Sequence, residues 1–121
     1  KPNGIFIFDC WYGPAVLSDP PVMRVKRLED EKIEITRIAE PEMYPNENRV
    51  DVHYQVFIKD KSTERVEILK ETHRMRYLFK PEIEQMLELS GLSLINGQEW
   101  LSGNELDFST WNGCFIAEVN Q

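Results

Sequence analysis

Glu71 and His73 stand two residues apart in a segment that reads as a β-strand, so their side chains leave the same face. A carboxylate beside an imidazole is the arrangement that orients a histidine to accept a proton. The same two residues serve equally as the hydrogen-bonded polar face of a half-exposed sheet. His53 lies on an adjacent predicted strand and could join them in a polar patch. Arg74 and Arg76 alternate with the pair, suited to clamp a substrate phosphate or carboxylate, or to pair with surface glutamates. A second group, Asp9, Trp11 and Tyr12, follows the apolar run Ile5-Phe6-Ile7-Phe8 and runs into Gly13-Pro14. Ligands of open α/β sheets lie outside the carboxyl ends of the strands, which is where this aromatic loop is expected.

Other chemistry is poorly supported. Two histidines without a convergent carboxylate set do not make a metal site, so no metal is expected. Ser18-Asp19 and Ser109-Thr110 lack the spacing of a nucleophilic triad, and no G-x-S-x-G surrounds them. The six glycines are scattered and none forms G-x-G, the turn that a dinucleotide-like cofactor site needs. Cys10 and Cys114 have no metal-ligand spacing and read as buried reduced thiols, with no disulfide.

The elements that would position these groups come next. Ile5 to Phe8, entered through the turn Lys1-Pro2-Asn3-Gly4, reads as a strand buried on both faces, the signature of an inner parallel strand. Gly13-Pro14 and Asp19-Pro20-Pro21 punctuate a loop without regular structure. Met23 to Leu28, Lys32 to Ile38, Arg49 to Ile58 and Arg65 to Leu78 predict a four-stranded antiparallel meander. Glu40-Pro41 through Asn48 is expected as a polar connection, and Val50, Val52, Tyr54, Val56 and Ile58 share a face. Pro81, with Glu82 and Glu84, opens a helix carrying Ile83, Met86 and Leu87, and Gly91 ends it in a left-handed conformation. Leu92 to Ile95 is a strand with Gly97 a break. Trp111 to Val119 is the last strand, with Gly113 a bulge or close approach.

Size and charge narrow the function. A chain of 121 residues supports one domain. Its net charge of −7 argues against nucleic acid as a partner. The basic run Arg24-Val25-Lys26-Arg27 is followed by Glu29-Asp30-Glu31 and reads as a solvated strand and turn rather than a phosphate site. No apolar run is long enough to span a bilayer, and a cytoplasmic location is expected.

Lys1-Pro2-Asn3-Gly4 followed by Ile5-Phe6-Ile7-Phe8-Asp9 resembles the LKPGG turn and fifth strand of class I S-adenosylmethionine-dependent methyltransferases, with Asn3 at the position of the first glycine. The downstream order (an antiparallel excursion, Glu71-Thr72-His73-Arg74-Met75-Arg76-Tyr77-Leu78-Phe79, a helix, then Ser90-Gly91-Leu92) is similar to the C-terminal half of the subgroup that includes sugar-amine N-methyltransferases. The resemblance implies an α+β, partial α/β fold: 1–17 and 79–121 as the remnant of a Rossmann-like sheet, 22–78 as an inserted antiparallel meander. It implies a fragment of an enzyme that methylates a small molecule such as an amino sugar. S-adenosylmethionine would be the parent's cofactor, with none of its binding residues in this chain. Asp9, Trp11, Tyr12 and Arg74 would then bind the acceptor, Trp11 and Tyr12 as an apolar wall or, alternatively, as core aromatics capping the sheet. Glu71 and His73 would take its proton. The alternative is a non-catalytic dimerisation or small-ligand-binding module; either reading leaves strand edges that a second copy of the chain would pair.

Overall fold

The computed structural model describes residues 3–120, so Lys1 and Pro2 of the predicted opening turn lie outside the described residues. The chain divides into two compact units, one reaching to Pro20 and resuming at Arg76, the other spanning Pro21–Met75.

In the first unit, β1 (Ile5–Tyr12) is preceded by Asn3 at φ 67, a left-handed conformation that asparagine tolerates. β1 runs antiparallel to β7 (Asn112–Val119) from Ile5↔Glu118 to Trp11↔Asn112, and β7 pairs in turn with β6 (Leu92–Glu99). The end of β5 (Val66–Leu78) meets β1 in parallel at Trp11↔Tyr77 and Tyr12↔Leu78. The strand order here is β5-β1-β7-β6.

The expectation of a β1 buried on both faces is not met. Ile5, Phe6 and Ile7 remain 58%, 47% and 60% exposed. Parallel pairing reaches only the last two residues of β1, so among the described residues Ile5–Cys10 has a partner strand on one side alone. A further departure follows β1 directly. Gly13–Ser18, expected as loop, forms the short helix α1, because Pro14 is preset for a first helical turn and Ala15 and Val16 are buried beneath it.

The helix α2 (Lys80–Leu89) forms where the periodicity predicts it. Its Glu82 carboxylate accepts the Phe79 N–H at 3.4 Å and also pairs with Arg76. Ile83 and Leu87 face inward, and Gly91 at φ 80 ends the helix as expected. The core joins Ile83 and Leu87 to Tyr12, Phe115 and Ala117, with Phe8, Cys10, Leu92, Leu94 and Leu106 around them.

Phe115 sets the geometry of the neighbouring strands. A Cβ on Gly97 would lie 2.8 Å from its ring and one on Gly113 2.9 Å. Gly113 is therefore the close approach anticipated. Gly97 is not a break but an interior residue of β6, opposite Phe115 in register. The irregularity lies instead at Ile95, where pairing slips between Leu94 and Asn96.

The second unit is a meander, β2 (Arg24–Glu29), β3 (Ile33–Tyr44), β4 (Arg49–Asp60) and the first part of β5, in the order β2-β3-β4-β5. Glu40–Tyr44, expected as part of a connection, belongs to β3 and pairs with β4 throughout. The ladder closes at Tyr44↔Arg49, where the Arg49 guanidinium sits 4.3 Å from the Tyr44 ring centroid. Only the 3-10 turn Pro45–Glu47 and left-handed Asn48 lie outside it.

Phe115→Ala should lower the unfolding free energy by about 3–5 kcal/mol in urea denaturation. Gly97→Ala should also destabilise, and adding Phe115→Leu to it should recover part of that loss, because both changes act on the same space.

Candidate functional site

The pleat of β1 separates the first predicted group. Asp9 lies opposite Cys114 and Trp11 opposite Asn112, on one face, whereas Cys10 and Tyr12 point to the other. Asp9 is exposed and Trp11 half-buried, its ring edge-on to Trp111 at 5.2 Å. Tyr12 packs into the core at 9% exposure, its ring tilted against Phe115 and its hydroxyl pKa raised by burial. The structure thus brings Asp9 and Trp11 to one face and leaves Tyr12 on the other. The tyrosine level with Trp11 is Tyr77, fully buried, with a hydroxyl that has no hydrogen-bond partner among the described residues.

Cys10 lies opposite Gly113, so Cys114 is one step out of phase on the adjacent strand and points to the other face. The two strands are neighbours, yet the thiols remain free because the pleat directs them apart. Burial, followed by the nearby Asp9, raises the Cys10 thiol to about 11.

Glu71 and His73 do meet. His73 Nε2 lies 2.9 Å from Glu71 Oε1 as an ion-pair contact, with the two side chains 46% and 73% exposed. The imidazole stands edge-on to Tyr54 on β4, ring centroids 4.9 Å apart. Over the same tyrosine lies the Arg37 guanidinium of β3, 4.5 Å from the centroid. Arg37, Tyr54, His73 and Glu71 therefore form a row across three consecutive strands, with donor, aromatic, imidazole and carboxylate in sequence.

His53 does not join them. It belongs to the opposite face, where Nε2–H donates to Glu42 at 3.0 Å and Nδ1 accepts the Thr72 hydroxyl at 2.9 Å. The His53 hydrogen bond holds the Glu42 carboxyl below its usual range. Glu42, Asp51 and His53 bring three potential metal-ligand atoms within 4.8 Å of one another. Glu42 and His53 are bonded to each other at 3.0 Å, and Arg49 Nε lies 2.8 Å from Asp51 Oδ1 as an ion pair, although neither of those two buried atoms has a hydrogen-bond partner among the described residues. Arg49 already supplies the positive charge beside these carboxylates, so the cluster gives no argument for a metal. Arg76 pairs with Glu82, while Arg74 is exposed and makes no ion pair among the described residues.

Arg37 and Tyr54 were not singled out by the sequence. Tyr54 was legible as a member of the β4 face that includes Val52 and Val56; its neighbours on β3 and β5 depend on register. Tyr77 and Trp111 gave no sequence signal of their own.

No family model and no curated protein matches the chain. Solved structures do. A methyltransferase from Clostridium acetobutylicum, described as S-adenosylmethionine-dependent, superposes with a TM-score of 0.77 at 19% identity, over 100% of this chain and 46% of its own. An amino pentose methyltransferase from Micromonospora echinaspora gives 0.69 at 12% identity, over 99% and 45%. A sugar N-methyltransferase from Streptoalloteichus gives 0.69 at 11% identity, over 98% and 43%. The chain has the fold of part of these methyltransferase structures. The chain spans less than half the length of these structures. Within this partial Rossmann-like methyltransferase fold, no helix among the described residues is long and apolar enough to cross a membrane.

Cys10 of this methyltransferase fold should resist thiol reagents: at pH 9 a group titrating near 11 is about 1% thiolate. Because its folded pKa lies above the unfolded value, its contribution to stability is complete below about pH 8.5 and is lost as pH rises towards 11. Urea denaturation of the native chain against Cys10→Ala across that range, with the difference shrinking at high pH, checks this.

Proposed function

We propose that this chain is the acceptor-side portion of an enzyme that transfers the methyl group of S-adenosylmethionine to a small molecule, with an amino sugar as the acceptor class. The observation that carries the reading is the superposition of the whole chain on methyltransferase structures, two of which are described as acting on sugars. Methyl transfer needs an acceptor atom in line with the methyl carbon and a route for the proton it sheds. In this reading His73 takes that proton, Glu71 is the carboxylate 2.9 Å from its Nε2, and Tyr54 packs against its ring. Arg74 alternates with His73 on β5 and leaves the opposite face, so it takes no part in this site.

The residues described do not fit the cofactor. A cofactor cradle requires glycines that leave backbone open to a ligand. Here Gly13 is filled by the Phe79 ring and Gly97 and Gly113 by Phe115; Gly91 and Gly103 face open space, but neither stands between a strand and the N-terminus of a helix. No step is therefore routed through S-adenosylmethionine on this chain, and in the parent enzyme other residues would hold it.

A second reading rests on the exposed apolar run of β1: a non-catalytic module in which a second copy pairs with that strand and covers Ile5, Phe6 and Ile7. Sedimentation showing only monomer at micromolar concentration would sink it.

Titration calorimetry with S-adenosylmethionine should give no heat with the 121-residue chain and clear binding with a polypeptide extended upstream through the native gene. Binding to neither rejects the methyltransferase reading. In the extended enzyme His73→Ala should lower kcat about 100-fold or more. Glu71→Gln should lower it less, because the imidazole keeps its place against Tyr54.

A further inference from the structure

Cross-strand register places Lys26 of β2 directly opposite Arg37 of β3, and Arg24 opposite Ala39, so Arg24, Lys26 and Arg37 share one face. Like charges directly opposite on a sheet repel one another. None of the three has a carboxylate partner among the described residues, in a chain with 21 acidic side chains. The acids are not far away; they are on the wrong side. Glu29, Glu34, Glu40, Glu42 and Asp51 all project from the opposite face of β2–β4. On the cationic face Asp60 lies at the far end of the ladder, opposite Ile33, and is occupied by Ser62 and Thr63. Glu71 is engaged by His73.

We propose that Arg24, Lys26 and Arg37 form a binding site for an anionic group, a phosphate or a carboxylate, carried by a small-molecule ligand that also reaches Tyr54 and His73. An anion between opposed cations removes their repulsion and gains charge-assisted hydrogen bonds from the Arg37 fork. Arg37 already lies over the Tyr54 ring, which limits the freedom its guanidinium would lose on binding. Tyr54 in turn touches the His73 ring, so an anion held at Arg37 places the rest of the molecule beside the imidazole. Calling that molecule the methyl acceptor rests on the function proposed above; the anion site itself does not.

The test is an NMR titration of the 121-residue chain at low ionic strength with glucose 6-phosphate, glucuronate and glucose. One or both anionic sugars should shift the resonances of Arg24, Lys26, Arg37, Tyr54 and His73, and glucose should not. Preference between the two anions identifies phosphoryl or carboxylate. Arg37→Gln should weaken binding about tenfold or more, the loss of a charged hydrogen bond. Lys26→Glu, which relieves the like-charge pair at an exposed position and so keeps the fold, should abolish binding. Arg27→Gln, on the other face of the same strand, should leave it unchanged. Binding unaffected by Lys26→Glu, or weakened as much by Arg27→Gln as by Arg37→Gln, overturns the site. Anion binding without methyl transfer by the extended polypeptide would remove the proposed function and leave the site. Methyl transfer to anionic and neutral acceptors alike, indifferent to Lys26→Glu, would remove the site and leave the function.

Discussion

Phe115 occupies space that two glycines on neighbouring positions surrender to it, and much of the first unit follows from that packing. Its ring cannot be seated if either Gly97 or Gly113 carries a side chain. Once seated, it gives Tyr12, Ile83 and Leu87 a common surface, which fixes α2 against the sheet. Tyr12 is drawn inward by the same contact, and the alternation of the strand then turns Asp9 and Trp11 the other way. A packing requirement in the core thereby decides which aromatic residues remain available to a ligand.

The second unit sorts its chemistry by the pleat alone. Neighbouring residues on β4 serve different groups: His53 goes to Glu42 and Thr72, Tyr54 to His73 and Arg37. Carboxylates of β2–β4 gather on the face of the first, unpaired cations on the face of the second. The anionic net charge of the chain thus coexists with a local cationic surface. Composition reports the sum and conceals this division.

What the sequence made legible was what depends on neighbours along the chain. The meander, the helix with its Pro81 start and Gly91 stop, and the Glu71–His73 pairing all follow from local spacing. The family-like order of elements was legible too, and the superpositions bear out the fold. What depends on register was not. Whether Lys26 faces Arg37, whether His53 joins His73, and whether Cys10 and Cys114 share a face are each decided by a one-residue offset between strands. Single residues misled where tertiary contacts override local preference. Pro41 continues a strand it suggests ending, and Gly97 looks like an interruption because the ring that requires it lies on another strand.

The β3–β4 ladder has one further consequence, for the order in which the chain organises itself. Twelve successive pairs, from Ile33↔Asp60 to Tyr44↔Arg49, are joined through one very short turn. Closing so small a loop forfeits little chain entropy, and each added pair extends an alignment already fixed by the turn. The first unit is the reverse case, since β1 must find β7 from across nearly the whole length of the polypeptide. The meander is thus the part of the chain that can take shape from its own sequence neighbourhood, while the sheet around β1 must await β7.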